Sequence, residues 1–364
     1  MLKPAGITCI AALFLAGCAT TSQQPFYKSS PGNWPPTNET PKPQSPPYPV
    51  PLIKTNLPTV AQPTNTVRAV PVITWVPLSQ WAADHKIGTL HLISGQPVTM
   101  YAIGSTNGAM VLEIGSREAF WNNIEINLGF EPQLINNQIY LHVLDLQKNL
   151  EPLLCNPPLR LSTNRVIVID PGHGGSNTGT HSVLDGRFEK EFTLDWALQL
   201  KPLLESNGWT VLLTRTNDEF VANTDRVTFA DAHHADLYLS LHFNSTANRG
   251  EETRGVETYC LTPTGMPSSL IRGYNDFWSD QYPNNNLDNE NLLLAVRLHA
   301  AVLRTTGMED RGVQRARFIG VLDGEHCPAV LIEGGYLSNP EEAKLIESPE
   351  FRQKLAEAIA AALR

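Results

Sequence analysis

Three short stretches carry side chains that could make one metal-dependent hydrolytic site. They are Asp170-Pro171-Gly172-His173-Gly174-Gly175, Ser240-Leu241-His242-Phe243-Asn244 and Leu331-Ile332-Glu333-Gly334-Gly335. Each follows or ends a run rich in Val, Ile, Leu or Tyr, which sets its polar side chain at or just past the C-terminal end of a buried strand. Open α/β sheets carry their sites at that edge. Two imidazoles and carboxylates gathered there suit a hydrolytic zinc centre, because zinc takes nitrogen and oxygen donors, keeps a position open and lowers the pKa of water. Taken singly, each residue has a blander explanation. A glycine-flanked His173 or a strand-end His242 is more often a hydrogen-bonded histidine than a ligand. Glu333 could be half of a salt bridge, and Glu189 at a helix start is favoured by the helix dipole alone.

The elements that must position these residues alternate from 160 to 364. Strands are expected over 166–170, 211–214, 236–242, 256–261, 318–322 and 329–333. A helix over 189–206 carries Phe192, Ala197, Leu200, Leu203 and Leu204 at helical spacing and stops at Asn207-Gly208. Further helices are expected over 224–234, from Asp288 to near Gly307, and after Ser348-Pro349, an N-cap followed by a first-turn proline. This pattern predicts an α/β fold, a mostly parallel sheet with helices on both faces. Residues 75–155 read instead as a small β-rich domain. Strand-like runs at 90–93, 97–101 and 110–114 are separated by Gly95, Asn107-Gly108, Gly115-Ser116 and Asn136-Asn137.

The 364 residues, 41% of them hydrophobic, allow about two folded domains plus tails. A net charge of −9 and no long basic cluster argue against nucleic acid as a partner. At the N-terminus, Lys3 precedes an apolar run over 7–16 that is too short to span a bilayer. Leu15-Ala16-Gly17-Cys18 resembles a lipoprotein signal. Residues 1–17 would then be removed, Cys18 would carry lipid, and Ala19 after it would favour the periplasmic face of the outer membrane. Residues 19–74, rich in proline, read as an extended tether. Cys155, Cys260 and Cys327 could give one disulfide and one thiol, or three buried structural cysteines.

The motifs taken together resemble the zinc-dependent N-acetylmuramoyl-L-alanine amidases of the type-3 family over roughly 165–362. The resemblance rests on Val168-Ile169-Asp170-Pro171-Gly172-His173-Gly174-Gly175, Glu189-Lys190-Glu191-Phe192-Thr193-Leu194, Ser240-Leu241-His242-Phe243-Asn244-Ser245, Arg254-Gly255-Val256-Glu257-Thr258-Tyr259, Arg311-Gly312-Val313 and 328–339. It implies His173, Glu189 and His242 as zinc ligands and Glu333 as the catalytic glutamate. It implies peptidoglycan as substrate, cut between N-acetylmuramic acid and the L-alanine of the stem peptide. Phe243 and Gly334 depart from the commonest motif wording, and Phe243 could narrow or redirect the peptide groove. Asn244 and Arg226 could orient ligands or substrate, or serve structure. The segment 262–287, with Trp278, could wall the groove or act as a regulatory plug. Within 75–155, Val111-Leu112-Glu113-Ile114-Gly115-Ser116 and 137–146 resemble the copper amine oxidase N-terminal-like domain, which implies a scaffold or wall-binding unit. Two other functions remain open at this level, a catalytically silent wall-binding protein and a zinc peptidase. The need for a protein activator is also open.

Overall fold

The computed structural model of the chain describes residues 74–95, 98–247 and 252–364. The expected signal segment, Cys18 and the tether up to residue 73 lie outside the described residues.

The chain begins with β1 (Trp75–Pro77) and α1 (Leu78–Asp84). It continues through β2 (His91–Ser94), β3 (Met100–Ser105), β4 (Gly108–Glu113), β5 (Glu118–Trp121), β6 (Ile124–Asn127), β7 (Gln133–Ile135) and β8 (Gln138–His142). Short helical pieces α2 (Val143–Asp145) and α3 (Glu151–Leu154) lead to β9 (Val166–Pro171) and α4 (Glu189–Ser206). Then come β10 (Thr210–Leu213), α5 (Asn223–Ala232), β11 (Leu237–Asn244) and β12 (Val256–Leu261). The remainder is α6 (Asp288–Thr306), β13 (Asp310–Ala316), β14 (Ala329–Tyr336), α7 (Pro340–Ile346) and α8 (Pro349–Ala362).

Eleven strands make one sheet in the order β10-β9-β11-β14-β12-β13-β6-β5-β4-β3-β2. From β10 to β14 all neighbours are parallel; β12 runs antiparallel to β14 and parallel to β13. The β-rich segment continues this sheet rather than standing apart from it. Its β6 pairs with β13 at Ile126 and Val313, and an antiparallel meander from β6 to β2 extends the edge. β1, β8 and β7 form a separate three-stranded sheet.

Strand alternation sorts the core into two layers. Ile167 and Ile169 of β9, Leu237, Leu239, Leu241 and Phe243 of β11, and Val330 and Ile332 of β14 join Phe192, Trp196, Leu200 and Leu204 of α4 and the apolar faces of α6 and α8. Val168, Tyr238, Ala329 and Leu331 face the other way, onto Ala230 of α5 and onto Ile319, Val321 and Leu322. Helices therefore cover both faces, as the α/β pattern predicts. The last helix starts as read, with Ser348 Oγ accepting from Phe351 N and proline at the first turn.

The expected strand over 318–322 is not formed. The place beside β12 is taken by β13, whose Asp-Arg-Gly-Val-Gln-Arg-Ala alternation is too polar to stand out in sequence. The apolar run 318–322 instead turns, with Leu322 N donating to Ile319 O, and packs its side chains over the end of the sheet. No disulfide forms among the described residues: Cys260 and Cys327 are buried thiols and Cys155 is half-buried.

Candidate metal centre

His173, Glu189 and His242 come together at the C-terminal edge of the sheet. His173 lies just past β9, Glu189 opens α4, and His242 is on β11. The His173 Nε2 and His242 Nδ1 atoms lie 3.1 Å apart, and each is 3.0 Å from one oxygen of the Glu189 carboxylate. Two ring nitrogens at that distance need a proton or a cation between them. One candidate ligand atom from each of the three residues falls within 4.8 Å of the others. Two imidazoles and a carboxylate, with room left open, fit a zinc site of the catalytic kind.

The surroundings fix each donor. Asn177 Oδ1 lies 2.9 Å from His173 Nδ1 and orients that ring so that Nε2 faces the cluster. Glu189 Oε1 accepts from Phe243 N and Oε2 from Thr180 N, both at 3.0 Å, so the carboxylate cannot swing away. His173 itself has φ of +63°, a left-handed conformation that costs a non-glycine residue roughly 1–2 kcal/mol. Two buried guanidinium groups hold that backbone. Arg226 donates to His173 O at 2.7 Å and to Pro171 O, and pairs with Asp170; Arg215 donates to Pro171 O at 2.9 Å and Gly172 O at 2.8 Å. Burial pushes the Asp170 carboxyl up, but Arg226 with the Thr214 and Ser240 hydroxyls outweighs it and holds the carboxyl below its ordinary range.

Glu333 stands directly beside the cluster. In the sheet it is in register with His242 of β11 on one side and Glu257 of β12 on the other. It is 7% exposed, and its Oε2 is a buried oxygen without a hydrogen-bond partner. Burial first, then the charges of Glu189 and Glu257, push its pKa well above the carboxylate range; Arg272 opposes them. Glu189 moves the other way. Its burial is outweighed by the His173 and His242 rings, and it stays ionised. Two carboxyl groups in one site are thus shifted in opposite directions by their surroundings.

A cavity of about 210 Å³ opens over His173, His242 and Glu333, with Tyr259, Arg272, Phe318 and Leu331 among its walls. Of the residues expected at the groove, Asn244 sits beside it but is tied down. Its Nδ2 donates to Glu257 at 2.7 Å and its Oδ1 accepts from Arg272 at 3.1 Å. Arg226 reaches the cavity wall with its donors turned onto Asp170 and the backbone of the His173 turn. Trp278 does not line the cavity; its ring packs edge-on against Phe130, centroids 5.9 Å apart. The wall residue from the 262–287 segment is Arg272. The stretch 262–282 contains no helix, and Arg317 holds it by bonds to Asp276 and to the carbonyls of Pro263 and Met266. Phe243 is not in the groove either. As the neighbour of His242 on a strand it points to the opposite face, against Phe192 and Trp196. Gly334 faces the same place: a Cβ there would lie 3.0 Å from both Phe243 and Trp196. The two departures from the motif are therefore one packing exchange, a large residue on β11 and none on β14. His326, near Glu333 in sequence, is exposed and pairs with Asp231.

Asn177, Arg215 and Arg272 were not singled out by sequence reasoning. Asn177 could have been, since it lies four residues after His173 in the same glycine-rich turn. Arg215 and Arg272 carry no local signal.

The chain is similar to known amidases. Over 217 residues the chain is 30% identical to the N-acetylmuramoyl-L-alanine amidase AmiA of Escherichia coli, covering 54% of this chain and 74% of that one. It is 33% identical over 192 residues to the N-acetylmuramoyl-L-alanine amidase CwlM of Bacillus licheniformis, covering 52% and 64%. The solved catalytic domain of the amidase CwlV from Bacillus (Paenibacillus) polymyxa var. colistinus aligns over 55% of this chain and 96% of its own, at 28% identity and a TM-score of 0.45. Residues 167–364 match the model of the N-acetylmuramoyl-L-alanine amidase family, and the chain belongs to that family of peptidoglycan-cleaving enzymes.

Proposed function

We propose that the amidase is zinc-dependent, with His173, Glu189 and His242 as the ligands and Glu333 as the proton-transfer residue. The observation that carries this reading is the convergence of the three donors, with two ring nitrogens 3.1 Å apart and facing each other. Zinc held there would supply Lewis acidity, polarising a carbonyl and making water acidic enough to attack it near neutral pH. The remaining work falls to side chains. Glu333 takes a proton from the attacking water as its oxygen adds to the lactyl carbonyl carbon. The same carboxyl then gives a proton to the alanine nitrogen as the C–N bond breaks, leaving a carboxylate on the sugar and a free amine on the peptide. Burial favours its protonated form, so its unpartnered oxygen can hold that proton between the two transfers. Arg226 and Arg215 keep the His173 turn in place, and Asn177 keeps its ring aimed.

The decisive experiment pairs metal content with products. Wild type should carry about one zinc and release stem peptides with a free N-terminal alanine from purified peptidoglycan, read by mass spectrometry. Glu333→Gln should keep the zinc and lose release; a zinc-free but folded Glu333→Gln variant would overturn the split between ligands and base. Cleavage within peptides instead of at the muramyl amide would favour a peptidase.

The envelope is the compartment that such a substrate requires. Attachment there through lipid on Cys18, with 19–74 as tether, is part of the proposal. Loss of the Cys18→Ser variant from the membrane fraction would support it, and retention would refute it. Residues 75–155, which share the catalytic sheet, are proposed as a scaffold for that catalytic part.

A further inference from the structure

We propose that Arg272 is the anion-recognising residue of the groove, and that its ligand is a carboxylate on the peptide part of the substrate. The inference rests on the amidase reading and adds a substrate feature to it.

The first observation is how the side chain is aimed. Tyr274 N donates to Ile271 O at 2.8 Å, and the two residues between, Arg272 and Gly273, have φ of +43° and +82°. That is a turn with both central residues left-handed, as in type I′, and it ordinarily takes glycine, asparagine or aspartate. An arginine there is strained, and the strain directs its side chain into the cavity that holds His173, His242 and Glu333. The turn does not move freely. Tyr274 stacks on Phe318 with ring centroids 5.8 Å apart, and Arg317 anchors the segment through Asp276. The guanidinium itself rests near the rings of Tyr259 and Phe318, 5.8 and 5.4 Å from their centroids.

The second observation is what the guanidinium leaves unused. Its bonds all come from Nη2, to Asn244 Oδ1 and the Tyr259 hydroxyl. Its Nε and Nη1 have no partner among the described residues, and the side chain is 39% exposed. Nε and one terminal nitrogen form the fork that binds a carboxylate through two parallel bonds. The other cation on the cavity wall, Arg226, has Nε, Nη1 and Nη2 all engaged.

The third observation is charge. Glu257 is 4.0 Å from Arg272, yet its oxygens already accept from Asn244, Arg311 and the hydroxyls of Tyr259 and Tyr336. Arg311 at 2.9 Å is its ion-pair partner, which leaves the charge of Arg272 in surplus. Arg272 is therefore the cation on the cavity wall that is placed to receive an acidic peptide.

Binding and cleavage are to be measured with two synthetic muramyl peptides that differ only in whether one peptide carboxylate is free or amidated. Titration calorimetry on Glu333→Gln, which holds uncut substrate, should favour the free acid by about 10- to 100-fold, the worth of a charge-assisted bidentate contact. Adding Arg272→Gln should erase that preference, and Arg272→Lys should restore part of it. In the cleaving enzyme, Arg272→Gln should raise KM for the free acid far more than for the amidated substrate, beyond any change in kcat that the two substrates share through Glu333. Zinc content and melting temperature report whether each variant is folded. Equal preference in Arg272→Gln and its parent would overturn the proposal. So would a fall in kcat on both substrates with KM unchanged, which would place Arg272 on the transition state. Because calorimetry does not depend on turnover, failure of wild type to cleave either peptide would count against the amidase mechanism and leave the Arg272 comparison intact.

Discussion

Replacing Gly172 by alanine tests the geometry of the centre with one methyl group. The backbone of Gly172 is not in a left-handed conformation, so alanine imposes no conformational penalty of that kind. The methyl carbon would instead lie 2.3 Å from Cε1, 2.4 Å from Nε2 and 2.7 Å from Nδ1 of the His242 ring. Carbon contacts are comfortable at about 3.5 Å, so the ring must retreat by about 1 Å. The strand beneath it cannot absorb this, because β11 is locked between β9 and β14, with His242 in register with Glu333. Glu189 Oε1, only 3.0 Å from Nδ1 of the same ring, restricts that retreat further. Metal–ligand distances tolerate roughly 0.2 Å. A 1 Å displacement of one of the three proposed ligands should lower zinc affinity by about 100-fold or more, close to 3 kcal/mol. Competition against a fluorescent chelator measures that directly, with release of peptide from peptidoglycan as the second readout. Gly95→Ala, where a Cβ meets nothing within 4 Å, serves as control. If Gly172→Ala bound zinc within about threefold of wild type and stayed active, His242 would not be held as argued and its assignment as a ligand would fall.

Other expectations follow from the same contacts. Asn177→Ala frees the far nitrogen of His173 and should lower zinc affinity by about 10- to 100-fold in the same competition assay, with little change in melting temperature. Gly334→Thr should overpack the space against Phe243 and Trp196 and cost about 1–3 kcal/mol, while Phe243→Ala alone should cost about 3–5 kcal/mol by leaving a cavity. The double variant should cost less than the sum by at least about 1 kcal/mol in denaturant unfolding, and strict additivity would contradict the packing exchange. Glu325 is buried with Oε1 unpartnered, and burial, followed by the charges of Asp231, Asp170 and Asp323, pushes its pKa up to about 9. The folded chain then keeps a proton that the unfolded chain, near 4.3, has lost. Its contribution to stability is thus full below about pH 4 and declines as the pH climbs toward 9. Glu325→Gln should therefore raise the melting temperature at pH 8, by about 2–4 °C per kcal/mol recovered, and leave it unchanged at pH 4.

Much of the architecture was legible because its signals are local. The helix at Glu189–Ser206 follows from apolar residues at helical spacing ending at Asn207-Gly208, and the strand at Val256–Leu261 from strand-favouring Val256, Thr258 and Tyr259 after Gly255. Phe243 was legible too, though it was read as a groove residue. Alternation along β11 sends it to the face opposite His242, and that rule needs no coordinates. β13 was not legible: a strand whose partners supply its burial need not look apolar. The run 318–322 failed for the complementary reason. Its residues are apolar because they cover the end of the sheet, and apolar content alone does not separate a strand from a turn that packs.

The sequence by itself determined which residues could do the chemistry. His173, His242 and Glu333 each stand where a buried strand ends, and Glu189 where a helix begins, because hydrophobic runs and glycine turns mark those ends locally. Only the tertiary structure decided that they meet. His173 and His242 are 69 residues apart and Glu189 and His242 are 53 apart, and they converge because β9, β11 and β14 pair in parallel and bring their C-terminal ends to one edge. The same long-range pairing decided that the β-rich segment would extend the catalytic sheet through β6 and β13. It also placed an arginine from an irregular segment over the site. A strand-order choice is a free energy summed over contacts distant in sequence, so no local pattern carries it, whereas the residue types at each strand end are written in the chain itself.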